Sequence, residues 1–121
     1  MSKSITRNYV FRDSKGIFVR RKTATAVTQN NAVRSQITSE SLTTAAAAVY
    51  TLTLTNNLIK ADSLVMASVK YGGSTTGTPA VAMVTPADGS VVIKIQNIHA
   101  SAAFNGTIVV DVYLVRNSPA N

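Results

Sequence analysis

From residue 35 onward, apolar and polar positions alternate along the chain with a period of two. In "AVYTLTLT", Ala48, Tyr50, Leu52 and Leu54 share one face, and Thr51, Thr53 and Thr55 share the other. That is the pattern of a half-buried strand with a threonine-lined outer face. "LVMASVKY" (64–71) is mostly apolar, which predicts a strand covered on both faces. "PAVAMVT" (79–85) reads as a short strand beside a proline. "SVVIKIQNI" (90–98) turns Val91, Ile93 and Ile95 inward and leaves Lys94 and Gln96 outward. "TIVVDVYLVR" (107–116) sets Ile108, Val110, Val112 and Leu114 against Val109, Asp111, Tyr113 and Val115. No stretch holds a helical period. "TTAAAAV" has helical propensity but lies between strand formers, so a turn or a strand entry is expected there.

The separators have turn chemistry. "NNLIKADS" predicts a short helical turn, and "YGGSTTGTP" a flexible connection. Asp88-Gly89 and Asn105-Gly106 are both tight-turn pairs by composition. Strands at this spacing predict an all-β sandwich or barrel, and an antiparallel β-sandwich is the reading adopted. Upstream, "GIFVRRK" and "ATAVTQ" are also strand-like, and pair either with this body or with another subunit.

At 121 residues the chain holds one domain, with room for an attached arm. Charge divides it. Residues 1–34 carry eight bases (Lys3, Arg7, Arg12, Lys15, Arg20, Arg21, Lys22 and Arg34) and one acid, Asp13. Residues 35–121 carry four bases and four acids. The whole net charge of +7 therefore sits in the first 34 residues. This asymmetry predicts a basic, extended N-terminal attachment arm over residues 1–26 and a neutral β-sandwich over 27–121. There is no cysteine, no apolar run long enough to span a membrane and no hydrophobic leader, so the chain reads as soluble and made in a cytoplasm.

The catalytic inventory is thin. His99 is the one histidine. Ser101 lies two residues away, with no acid nearby in sequence to orient the pair. The acids of the body, Glu40, Asp62, Asp88 and Asp111, form no recognisable pair and no metal-ligand cluster. "YGGSTTG" lacks the lysine of a phosphate loop. No enzyme activity, cofactor or metal is expected.

The arm is the candidate site. Its basic residues Arg7, Arg12, Lys15, Arg20, Arg21 and Lys22 interleave with Tyr9, Phe11, Ile17 and Phe18. Cations and aromatics together permit phosphate attraction and base stacking, but the segment matches no nucleic-acid module. Docked on a protein, each apolar side chain would be worth about 1.5–3 kcal/mol, and the cations would steer it to an acidic surface. "IFVRRK" also suits addition to the edge of a neighbouring sheet. A protein partner is the reading adopted.

The body, in "TAVTQNNAVRSQITSESL", "YTLTLTNNLIKADSLVMASV", "GGSTTGTPAV" and "GSVVIKIQNIHASAAFNGTIVVDVYLV", resembles a β-sandwich domain of tailed-bacteriophage virion proteins, over residues 27–115. The resemblance implies a jelly-roll-like fold, commonly trimeric. It also implies a structural role, either as a capsid decoration (cement) protein or as the head of a tail or neck fibre. It brings no catalytic residues. The chain carries no shaft, and Met1 followed by a short arm points to a small whole protein, which favours decoration. The expected partners are the major capsid protein and further copies of the chain in a homotrimer. The expected location is the virion surface after synthesis in the host cytoplasm. A host receptor or glycan is the partner in the fibre reading, which would place its contact in "GGSTTG" and "HASAAFNG".

Overall fold

A computed structural model describes residues 11–13, 16–23 and 25–115. Those residues form two packed sheets and no helix. The strands are β1 (Phe11–Asp13), β2 (Gly16–Thr23), β3 (Ala26–Thr28), β4 (Ala32–Ser39), β5 (Val49–Thr55), β6 (Leu64–Tyr71), β7 (Pro79–Ala87), β8 (Ser90–Asn97) and β9 (Ile108–Val115). One sheet has the order β1-β2-β4-β9-β6 and the other β3-β5-β8-β7. Pairing is antiparallel except at β2–β4 and β3–β5, which are parallel. The fold is therefore the all-β sandwich expected from the alternation, mostly antiparallel.

The period-two strands make the core. Tyr50, Leu52 and Leu54 of β5 meet Val91, Ile93 and Ile95 of β8 on the inner face of one sheet. Ile37 of β4 and Ile108, Val110, Val112 and Leu114 of β9 face them from the other. Leu42, Ile59 and Phe104, from the connections, close the ends of this cluster. Each such side chain contributes about 1.5–3 kcal/mol on leaving water.

Three expectations are corrected. β6 is covered on one face only. Val65 is buried, and Ala67 and Val69 are partly so, but Leu64 and Met66 are 61% and 58% exposed. A mostly apolar run does not reveal that its outer face is open. Residues 56–63 form two successive turns rather than a helical one, closed by Ile59 N–H to Asn56 C=O and Ser63 N–H to Lys60 C=O, each at 3.0 Å. Asn105-Gly106 is not a tight turn. Gly106 forms a bridge with Leu42, and a Cβ there would lie 3.0 Å from the Gly73 carbonyl carbon, so glycine serves close approach rather than reversal.

Other readings hold. Asp88-Gly89 joins β7 to β8 as a two-residue loop, with Gly89 at φ +88°. "TTAAAAV" turns at Ala46 and Ala47 before β5. β7 is an edge strand, which tolerates Pro79 and Pro86, and a bulge between Val81 and Met83 bends it.

The strand-like upstream segments pair with the body. β2 runs beside β4 from Phe18↔Arg34 to Thr23↔Ser39, and β3 beside β5. The sequence-based boundary at 26/27 falls inside β3.

Candidate interaction surface

The two loops offered by the sequence as a contact site do meet, at one end of the sandwich. Asn105 Oδ1 accepts from the Thr75 and Thr76 N–H groups at 2.7 and 3.1 Å and from the Ser74 hydroxyl at 2.9 Å. The Thr107 hydroxyl accepts from Gly73 N–H at 2.6 Å. Asn97, fully buried, accepts from Thr78 and His99 N–H and donates to the carbonyls of Thr44 and Ala102. The polar groups of this end thus bind one another and hold the loops in place.

His99 belongs to the same network. Its Nδ1 accepts from the backbone N–H groups of Ser101 and Ala102 at 3.0 and 2.9 Å. The Ser101 backbone, not its hydroxyl, is the group His99 holds, and the imidazole orders the loop. Among the described residues no cluster of three or more potential metal ligands occurs. No helix among them is long and apolar enough to cross a membrane.

Among the described residues one titratable group is displaced. Burial, and secondarily the charge of Glu40, push the Tyr50 phenol up to about 12. Tyr50 is a core residue of β5.

The outer faces of the two sheets differ. On the four-stranded sheet, Thr51 and Thr55 of β5 and Lys94 of β8 are exposed, as the alternation predicts. On the five-stranded sheet, apolar side chains lie open. Met66 is directly opposite Tyr113, which is 48% exposed, and Tyr113 is opposite Arg34. Leu64 and Val115 form the next pair along. A shallow depression of about 400 Å³ runs between Arg34, Met66, Ser68, Asp111 and Tyr113. Asp111 sits at its centre, 3.8 Å from Arg34 and 3.9 Å from Lys70, and accepts a hydrogen bond from the Gln36 amide at 3.1 Å. Such open ion pairs stabilise a fold by at most about 1 kcal/mol, and Arg34 and Lys70 stay 55% and 63% exposed.

The arm residues expected as the site are distributed as follows. Phe11 and Arg12 lie in β1, and Ile17, Phe18, Arg20, Arg21 and Lys22 in β2. Arg7, Tyr9 and Lys15 lie outside the described residues. The register sets Phe18 beside Arg34, Arg20 beside Gln36 and Lys22 beside Thr38. β2 thereby brings part of the basic segment next to the strand that carries Arg34. Sequence reasoning missed Leu64 and Met66 as surface residues. The alternation around Val65 was the signal, masked by the apolar character of both faces. Comparison of the chain with family models, with curated proteins and with solved structures finds no match.

Proposed function

We propose that this chain is a structural protein of a tailed-phage particle: a capsid decoration protein that binds the outer shell through its basic N-terminal segment and stabilises it. The supporting observation is the separation of charge. All of the net +7 lies in residues 1–34, and residues 35–121 are neutral. Attraction to an acidic shell would then come from one end of the chain, while residues 35–121 would add no net charge to the contact. In this reading the partner is the major capsid protein, the assembly is a homotrimer and the location is the virion surface. Many weak contacts around one shell would add up through avidity. The jelly-roll description and the absence of any enzymatic role belong to the same proposal.

A second reading is kept for one observation. The loops of 72–78 and 98–107 are hydrogen-bonded together at one end of the sandwich, as a receptor- or glycan-contacting knob would require. Counting copies per purified particle against the major capsid protein, by quantitative mass spectrometry, separates the two. Hundreds of copies are expected for decoration. A few dozen or fewer would move the chain to a vertex, neck or tail appendage. Absence from the particle would end both virion readings and leave nucleic acid as the target of the basic segment.

A further inference from the structure

We propose that the outer face of the five-stranded sheet is a docking surface for a protein segment that sets carboxylates beside apolar side chains. This deepens the decoration reading, resting on it for the identity of the partner and not for the chemistry of the face.

The floor of the face is apolar. Leu64, Met66 and Tyr113 are among the large hydrophobic side chains left open to solvent, and they fall on paired strands within two residues of one another. Val115 continues the strip beside Leu64. Large apolar side chains grouped in this way mark a contact, whereas scattered ones carry no meaning.

Around the floor the charge is one-sided. Arg34 flanks Tyr113, and Lys70 lies two residues beyond Ser68 on β6. On β2, Arg20 and Lys22 are in register with Gln36 and Thr38. Arg34 and Lys70 share Asp111, and the basic strand β2 pairs alongside β4.

Charge complementarity selects the occupant. A second copy of this chain would bring the same excess of cations to the contact, which like-charge repulsion opposes. Nucleic acid would satisfy the cations. It would stack at most on Tyr113, and Leu64, Met66 and Val115 would stay uncovered. An acidic protein segment with apolar residues satisfies both parts.

The test uses the full chain and three probes in fluorescence anisotropy at physiological salt: a random copolymer of glutamate and tyrosine, polyglutamate, and oligothymidylate. The copolymer is expected to bind roughly tenfold more tightly than polyglutamate, because only it fills the apolar strip. Met66→Gln should remove most of that difference. Lys70→Glu should weaken copolymer binding by roughly tenfold, whereas Lys94→Glu, the same change on the opposite sheet, should change it less than about twofold. All three positions are exposed, and circular dichroism checks that each variant is folded. Equal losses from Lys70→Glu and Lys94→Glu, equal affinity for the two acidic polymers, or tighter binding of oligothymidylate would each overturn the proposal. None of the probes is a virion component, so copy number per particle and this assay fail independently.

Discussion

Asn97 accepts two hydrogen bonds and donates two, all to backbone groups of three different connections. Asn56 does similar work at the opposite end, donating to the Ala32 carbonyl at 2.6 Å and accepting from Leu58 N–H at 3.1 Å. Gln29 is the contrast: it is 3% exposed, and neither side-chain amide atom has a hydrogen-bond partner among the described residues. Tyr50 supplies a prediction at this scale. Its phenol has an ordinary pKa near 10.0 and stands at about 12 in the fold. Below pH 10 the group is protonated in both states and does not alter stability. Between pH 10 and 12 the unfolded chain ionises and the folded chain does not, so stability falls as pH rises through that window. A Tm series should show wild type losing stability between pH 10 and 12 more steeply than Tyr50→Phe, which has no proton to lose. Parallel slopes for the two proteins would mean that burial does not hold the phenol neutral. The sequence shows Tyr50 as an inward residue of an alternating strand. It does not show Glu40 as its neighbour, because that proximity comes from how the β4–β5 connection returns.

At the scale of elements, β5 and β8 were legible because each turns apolar residues one way and polar residues the other, and β9 because its inward set is all apolar; β4 was not, because its buried set, Val33, Ser35, Ile37 and Ser39, mixes the two. β6 was legible as a strand but not in its open face, because Leu64 and Met66 make the outer side apolar too and only packing decides which side is covered. The two Xaa-Gly pairs make the same point about turns. A dipeptide reports backbone preference and not what lies across from it. At Gly89 nothing lies within 4 Å of an added Cβ, and the left-handed φ of +88° is the whole requirement. At Gly106 the requirement is the backbone of Gly73 and Ser74, 3.0–3.1 Å away. Gly89→Ala should therefore cost about 1 kcal/mol, and Gly89→Asn visibly less, since asparagine tolerates the left-handed region. Urea midpoints read at constant m-value would check this. Equal losses for Ala and Asn would show that the turn is held by something other than its backbone angle.

For the whole molecule, the decisive relation is between the basic segment and the sheet. Charge separation was legible from residue counts alone. The parallel pairing of β2 with β4 was not, because parallel partners are joined by a crossing through the other sheet and leave no local signal. That pairing gives the segment two separable roles, completing a sheet and contacting a partner. Deleting residues 1–25 should remove shell binding if the decoration reading is right. It should also strip β4 of its neighbour from Phe18↔Arg34 to Thr23↔Ser39 and remove the Thr25 carbonyl that accepts from Thr53 N–H. An uncovered strand edge invites pairing with another chain. The truncated protein should therefore melt at least about 3 °C lower and self-associate with rising concentration in light scattering. Charge reversal at Arg20 and Lys22 in the intact chain should lower shell binding while leaving melting and monodispersity near wild type, because the strand's backbone bonds remain. A truncated chain that melts like wild type and stays monodisperse would mean that β4 needs no partner on that side, and that the segment serves attachment alone.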